Sequence, residues 1–296
     1  MNDTNLPRIT VVTPSFNQAQ FLEATILGVL GQQYPNLEYI VMDGGSKDGS
    51  VEIIRRYESQ IAYWVSERDG GQSAAINTAF ARATGDILCW INSDDFFLPG
   101  ALLKIGRLFA EQGKESMLVY GSCLFFQDQG RAAKVVRPEQ HDRARLALTG
   151  YIIQPSAFWT RRLWELTGPL DQSLSYAFDW DWFNRAAALG TFIRSPEIFS
   201  AYRFHEAHKS GNGSEPRRDE IFSVARRHAA AEQIAAYQFT MKHWETLRRR
   251  DALAARLGKW RVPGAPLLAR LTEPKLWFSK VSKNNLRVCR AMLGDA

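Results

Sequence analysis

Asn92-Ser93-Asp94-Asp95 closes an apolar run ending in Leu88-Cys89-Trp90-Ile91. Two adjacent carboxylates repel each other unless a cation or hydrogen-bond donors compensate. A divalent ion held by one carboxylate together with substrate phosphates would do so, as Mg2+ and Mn2+ sites do. An aspartate that only caps the following helix would also explain the pair. The four residues alone leave both readings open. Further polar breaks follow other apolar runs: Ser15 to Asn17, Asp43-Gly44-Gly45-Ser46, and Arg68-Asp69-Gly70-Gly71-Gln72. The turn at Asp43 is one that Asp and Gly favour for backbone reasons as well.

These residues need elements to hold them. Strands are predicted at 9–13, 38–42, 61–65 and 86–91, from β-branched or apolar runs bounded by turn residues. Helices are predicted at 18–32, 48–57 and 73–83, with another beginning at Pro99, which suits a first turn. Such alternation predicts an α/β fold: a Rossmann-like, mostly parallel sheet with helices on both faces. Ligands bind beyond the carboxyl ends of the strands in such sheets. Ser15, Asn17, Asp43, Asp69, Asp94 and Asp95 should therefore share one rim. Beyond residue 119 the rhythm loosens, with strands expected at 117–121, 123–127 and 152–160, a hairpin arm at 131–136, and helices at 142–148 and 181–189. A turn cluster, Gly211-Asn212-Gly213-Ser214, precedes a helical stretch over 216–257. A last amphipathic segment sets Leu276, Trp277, Phe278 and Val281 among Lys275, Lys280 and Lys283. The division expected is a catalytic domain over 1–212 and a basic, mainly helical extension over 213–296.

Composition narrows the function. The chain has 296 residues, 45% hydrophobic and 23% charged, which excludes a wholly disordered chain. Its net charge of +6 is uneven: residues 240–296 hold 13 Lys/Arg against 4 Asp/Glu, and the rest hold 24 against 27. The excess positive charge belongs to the tail, and an anionic membrane surface is a candidate partner for it. Helical packing or self-association explains the same stripe equally well. Three widely spaced cysteines indicate neither a disulfide framework nor a zinc knuckle. Neither a signal segment nor an apolar run of transmembrane length is expected. The expected location is the cytoplasm, with peripheral contact on the inner face of the plasma membrane left open.

Five motifs occur in order: Thr13-Pro14-Ser15-Phe16-Asn17, Met42 to Ser50, Ser66 to Gln72, Thr84-Gly85-Asp86, and Ser93-Asp94-Asp95. Together they resemble the family 2 inverting glycosyltransferases of the GT-A fold, closely over about 100 residues and more weakly to about residue 211. The resemblance implies a nucleotide-sugar donor, best a UDP-sugar, and a glycan or lipid-linked glycan acceptor in surface polysaccharide assembly. It implies that Thr13, Pro14, Ser15, Asn17, Asp43 and Gly44 shape the nucleoside pocket, with Asp43 accepting from the base. Arg68, Asp69, Gln72 and Asn77 would add donor contacts. Ser93-Asp94-Asp95 matches the metal motif usually written DXD, with Ser93 at its first position. Asp94 would touch the ribose or support the site, and Asp95 would hold the Mg2+ or Mn2+. An Arg-x-His segment implies His205 as a further metal or diphosphate contact and Arg203, His208 and Lys209 as diphosphate contacts.

An acceptor hydroxyl needs a positioned base. The resemblance gives this role to Asp179, in Phe178-Asp179-Trp180-Asp181, although Phe178 stands where the family has Glu. Asp181 is the alternative base and also suits a helix start. Trp159, Trp164, Trp180 and Trp182 are sugar platforms or, more commonly, core. Two rival classes are a sugar nucleotidyltransferase and a non-catalytic anionic-surface binder. The first lacks its Gly-rich basic loop after the first strand. For the second, and for any nucleic-acid partner, the gathered aspartates are a poor design.

Overall fold

Four parallel strands form the first block of the sheet: β1 (Ile9–Ser15), β2 (Leu37–Asp43), β3 (Tyr63–Ser66) and β4 (Ile87–Trp90), in the spatial order β3-β2-β1-β4. The computed structural model describes residues 6–127, 133–205, 214–259 and 281–294. Helices α1 (Ala19–Leu30), α2 (Ser50–Arg56) and α3 (Gln72–Arg82) connect these strands. Every residue of β1 is buried, so both of its faces are covered, as parallel strands require. Ile9 and Val11 join a core with Leu22, Ile26 and Val29 of α1 and with Leu102 and Ile105 of α4 (Ala101–Gln112). Toward the other face, Phe80 of α3 meets the rings of Trp90 and Trp159, with centroids 6.4 and 5.9 Å away.

The second block is mixed. β5 (Phe96–Phe97) is a short edge strand on β9 (Thr191–Phe204). β6 (Met117–Gln127) pairs with β7 (Ala133–Val136) and β8 (Ala157–Thr160) in antiparallel fashion and with β9 in parallel. β8 joins the block to β4, also antiparallel. Most paired residues still lie in parallel ladders. Between these strands run α5 (Arg143–Leu148), α6 (Arg161–Thr167) and α7 (Phe178–Ala186). This is the GT-A arrangement expected from the sequence.

Several local differences have physical causes. The two strands expected at 117–121 and 123–127 are one, β6, bent by a register shift at Tyr120 to Cys123. β9 escapes a sequence reading because Pro196 interrupts it. The ladder steps from Tyr120↔Arg194 to Ser122↔Ile198, so the proline falls in an irregularity, where no ladder donor is needed. Helix α7 begins at Phe178, three residues before its predicted start. Helix α6, which the sequence reading left out, is capped by Thr160 Oγ1 accepting from the Leu163 N–H at 3.3 Å.

The chain divides into two compact units, Met1–Leu146 with Gly150–Gly211, and Ala147–Thr149 with Asn212–Ala296. The second contains α8 (Glu215–His228), α9 (Ala231–Lys242), α10 (Trp244–Lys259) and α11 (Lys283–Leu293). The helical stretch expected over 216–257 consists of three helices. At the first break Gln233 Oε1 accepts the Ala230 N–H at 3.0 Å and starts a new helix. Helix α11 packs on α8 and α9. Tyr237 is fully buried, and its hydroxyl donates to the Leu148 carbonyl at 2.7 Å. Of the amphipathic segment at 275–283, only Val281, Ser282 and Lys283 fall among the described residues. Among the described residues no helix is long and apolar enough to cross a membrane.

Candidate functional site

The parallel register aligns Ser15, Asp43 and Ser66 at the carboxyl ends of β1, β2 and β3. Asp43 is held within its own turn. Its carboxylate is 2% exposed and accepts four hydrogen bonds from its own surroundings. The donors are the N–H groups of Gly45 and Ser46 and the hydroxyls of Ser46 and Ser66, at 2.6 to 3.2 Å. Three of these bonds fall on Oδ2 and one on Oδ1, so Asp43 shapes the turn and keeps acceptor capacity on Oδ1. The backbone of Gly44 fronts the cavity in its place. A Cβ there would lie 3.2 Å from both Asp69 Oδ2 and Phe16 Cδ2.

Asn17 takes a left-handed conformation, φ 51°. Its N–H donates to Ser46 Oγ at 2.7 Å and its Oδ1 accepts the Lys47 N–H at 3.0 Å. It fastens the first loop to the second and does not line the cavity. Asp48 adds a second tie, Oδ2 accepting the Ala19 N–H at 2.8 Å. Burial alone would raise the Asp48 pKa. The bonds from Ser50 and Ala19 outweigh it and hold the carboxyl below its ordinary value.

These loops border a cavity of about 660 Å3. Pro14, Ser15, Phe16, Gly44, Arg68 and Asp69 form one part of its wall, and Gln72, Asn92, Ser93 and Asp94 another. Gln72 Nε2 donates to Asn92 Oδ1 at 2.8 Å, which joins α3 to the loop after β4. Residues 153–155, Tyr176, Phe178 and Asp179 continue the wall, and Phe125 and Tyr202 of β6 and β9 complete it.

At the end of β4 the two carboxylates differ. Asp94 fronts the cavity, with Oδ2 3.0 Å from His205 Nε2. Asp95 lies behind it, 1% exposed. Asp95 Oδ1 accepts the Arg203 N–H at 3.0 Å, and Oδ2 receives one long contact of 3.5 Å from Asn92. Burial, and then the neighbouring Asp94 charge, push the Asp95 pKa well above the usual carboxylate range. The Arg203 guanidinium lies over the rings of Phe21 and Phe126, 4.7 and 4.8 Å from their centroids, and donates to the Asp94 carbonyl at 3.0 Å. Arg203 therefore braces the carboxylate loop and is absent from the cavity wall.

The two aspartates at the start of α7 also separate. Asp179 fronts the cavity from the helix's first turn, where a negative charge is favoured. Asp181 is 2% exposed and bonded through Oδ2 to Arg185 Nε at 2.9 Å. Arg185 also donates to the carbonyls of Thr167 and Pro169. Asp181 thus locks the α6–α7 connection and does not line the cavity that Asp179 fronts.

Two further expected residues stay outside the cavity. Thr13 is fully buried and its Oγ1 accepts the Tyr39 hydroxyl at 3.0 Å. Asn77 exchanges two backbone hydrogen bonds with Leu170, both at 2.9 Å. His208 and Lys209 lie outside the described residues. Trp159, Trp180 and Trp182 are buried core residues, and Trp164 packs beside them, its ring 4.7 Å from Phe80. The wall residues Phe16, Tyr176, Phe125 and Tyr202 had no assigned role in the sequence. Phe16 is 61% exposed, and a large exposed aromatic beside a turn is the signal that could have found it.

The family model described as glycosyl transferase family 2 matches residues 10–162, which span the parallel block and the carboxylate loop. The chain belongs to glycosyl transferase family 2. An uncharacterized glycosyltransferase of Rickettsia typhi is 24% identical over 69% of this chain and 66% of its own length. One from Mycobacterium tuberculosis strain H37Rv is 42% identical over 32% of this chain and 36% of its own. The chain therefore matches less than two thirds of these relatives' length. Two solved structures share the fold. The mannosyltransferase PcManGT from Pyrobaculum calidifontis, in complex with GDP-Man and Mn2+, has a TM-score of 0.62 at 22% identity, covering 98% of this chain and 86% of that one. S. aureus TarS 1–349 in complex with UDP-GlcNAc has a TM-score of 0.60 at 15% identity, covering 96% and 79%.

For this family 2 chain the donor set suits a divalent cation. Asp95 Oδ2 is a buried carboxylate oxygen with one weak contact among the described residues, beside a second carboxylate and an imidazole. A cation would relieve both the burial and the repulsion. Among the described residues no three His, Cys, Asp or Glu side chains already converge on one point. The remaining ligands would be phosphate oxygens and water, the usual habit of Mg2+ and Mn2+.

Proposed function

We propose that the protein transfers a sugar from a nucleotide-sugar to a hydroxyl of a glycan or lipid-linked glycan, with inversion at the anomeric carbon. One observation carries this reading: Asp94, in the loop after β4, and Asp179, in the first turn of α7, front the same cavity from different elements. Family membership favours this reading over nucleotidyltransfer or simple anionic-surface binding.

In the proposed site the nucleoside lies against Pro14, Ser15, Phe16 and Gly44, with Arg68, Asp69 and Gln72 as its polar neighbours. The diphosphate lies toward Asp94. Asp94, Asp95 and His205 would hold a divalent cation, Mg2+ or Mn2+, which when bound stabilises the charge that grows on the departing diphosphate. Asp179 accepts the proton of the acceptor hydroxyl. The hydroxyl oxygen attacks the anomeric carbon, the bond to the phosphate oxygen breaks, and a nucleoside diphosphate leaves. A single base acting on the acceptor, with no covalent intermediate on the protein, gives inversion. A UDP-sugar is the leading donor, and GDP-sugars are the comparison to make.

The basic residues 213–296 support a lipid-linked acceptor in surface polysaccharide assembly, because cationic segments near a membrane gain from anionic headgroups. Co-sedimentation with anionic and neutral vesicles tests that part, and equal binding to both would remove it. The main test is thermal shift and nucleoside diphosphate release across UDP- and GDP-hexoses with Mg2+ or Mn2+. The true donor should raise the melting temperature and release its diphosphate. A chain that neither binds nor turns over any of them is not this enzyme.

A further inference from the structure

The carboxyl ends of β6 and β9 carry three aromatic rings in mutual contact. Phe125 lies opposite Tyr202 in the parallel ladder, and Gln127 lies opposite Phe204. Partners in register share one face of the sheet, as do residues two apart along a strand. The ring centroids are 5.1 Å apart for Phe125 and Tyr202, 5.3 Å for Phe125 and Phe204, and 5.1 Å for Tyr202 and Phe204. Phe125 and Tyr202 line the cavity, and Phe204 packs against both. Both lining rings are half-buried, whereas Cys123 and Ser200, one step earlier on the same face, are fully buried. The sheet face thus opens into the cavity at these two rings. Clustered aromatics on an open cavity wall are a usual mark of ligand contact.

The surroundings of the rings narrow the ligand. Lys134 of β7 lies opposite Phe125 on its other side, and Gln127 stands beside Phe204; both are exposed. An acyl or prenyl chain needs a longer apolar track than these polar neighbours leave. A pyranose ring fits, because it offers a face of C–H groups to an aromatic surface and keeps its hydroxyls at the rim. Position then selects the sugar. The proposed nucleoside wall comes from the loops after β1 and β2, in the parallel block. Tyr202 is followed by Arg203, which donates to the Asp94 carbonyl, and soon by His205, 3.0 Å from Asp94 Oδ2. The pair therefore stands beside Asp94 on the second block of the sheet. Inversion requires the incoming hydroxyl to approach the anomeric carbon opposite the departing diphosphate. Rings on the second block can hold the incoming sugar while the parallel block holds the nucleoside.

We propose that Tyr202 and Phe125 form a stacking platform for the acceptor, one face of a pyranose ring lying on them so that its rim hydroxyl enters the reaction site. This rests on the glycosyltransferase reading above. The platform supplies binding and orientation and takes no part in proton transfer. Its selectivity is for ring faces made of C–H groups, and it requires a flat ring rather than apolar bulk alone.

The experiment uses the full chain with UDP or GDP and Mg2+. The sugar probes are the methyl α- and β-pyranosides of glucose, N-acetylglucosamine, galactose and mannose. Saturation-transfer NMR reads which ring protons touch the protein, and titration reads affinity. The wild type should bind at least one glycoside, with saturation concentrated on the C–H protons of one ring face. Tyr202→Leu keeps apolar bulk and loses the flat ring, so glycoside affinity should fall about 10-fold with nucleotide affinity unchanged. Tyr202→Phe keeps the ring and should bind the glycoside as the wild type does. A wild type that binds nucleotide and none of the glycosides overturns the proposal, as does saturation spread evenly over both ring faces; neither result depends on the variants folding. Unchanged glycoside affinity in a folded Tyr202→Leu also overturns it, and a loss confined to the nucleotide would give the ring to the donor instead. If the wild type binds neither nucleotide nor any UDP- or GDP-hexose, the glycosyltransferase reading falls and takes this inference with it.

Discussion

At the carboxyl ends of β1 to β3, aspartates are largely consumed by their own loops. Asp43 takes four donors and Asp48 three, and Asp69 Oδ1 accepts the Gly71 N–H at 2.8 Å. In the region built from α6, α7 and β9 the acidic groups divide instead: Asp181 is locked to Arg185, and Asp179 fronts the cavity. Short loops between parallel strands expose many backbone N–H groups within a few residues. A carboxylate at the strand end is the cheapest way to satisfy them. Asp43 and Asp48 therefore serve the shape of their loops, and the carboxylates left for chemistry are those that line the cavity, Asp69 and Asp94 from the parallel block and Asp179 from α7. A motif aspartate is not a ligand contact merely because it stands at a strand end.

The largest effect should come from breaking the contrast at α7. Asp179→Asn keeps the shape of the wall and removes the base. It should lower kcat by about 10²–10⁴-fold while nucleotide-sugar binding, read by calorimetry, is nearly unchanged. Asp181→Asn should do the reverse. It removes one partner of a buried ion pair, so stability should fall by about 2–3 kcal/mol with turnover largely kept at temperatures where the protein stays folded. Equal kinetic losses in the two variants would show that the cavity wall does not distinguish them.

A smaller effect is expected at Asp43. Asp43→Asn retains one acceptor oxygen and introduces an NH2 group against loop donors. Stability should drop by about 1–2 kcal/mol, measured by urea unfolding. Nucleotide affinity should weaken only as far as the loop loosens. A selective loss of uridine over guanosine nucleotides, with stability intact, would return Asp43 to base recognition.

How far the sequence reaches follows the same division. The parallel block was legible because each strand is a β-branched or apolar run closed by a turn, with a helix of regular period after it. The carboxylate loop was legible for the same reason. Asp43 and Asp95 share a residue type and a place at a strand end, and only tertiary contacts separate them: hydroxyls of Ser46 and Ser66 on one, a buried and weakly bonded oxygen on the other. β9 was hidden by Pro196, whose irregularity depends on the partner strand. Thr13 and Asn77 looked like ligand residues because their types are polar. Their roles as a hydroxyl acceptor for Tyr39 and a brace for Leu170 rest on contacts 26 and 93 residues away.

The smallest expected effect lies at the amino end of β2, where Glu38 offers a control for the loop aspartates. It is 6% exposed and accepts from Thr10 Oγ1, the Thr84 N–H and Thr84 Oγ1 at 2.5 to 2.7 Å, with Arg8 at 3.5 Å. Burial would raise its pKa, but those donors outweigh it and hold the carboxyl below its ordinary 4.5. A depressed folded-state pKa means the unfolded chain binds the proton first. The stabilisation is therefore complete above the ordinary value and is lost as pH falls through the lower folded-state value. Glu38→Gln should cost about 1 kcal/mol at neutral pH and flatten the acid limb of the stability curve. The two proteins should converge in acid, where Glu38 itself is protonated. Urea unfolding between about pH 3 and pH 7 measures this. Since Glu38 lies at the strand end away from the Asp43 turn, nucleotide binding should not change, whereas Asp43→Asn should disturb both stability and binding. A parallel pH response in wild type and Glu38→Gln would mean that other carboxylates carry the acid limb.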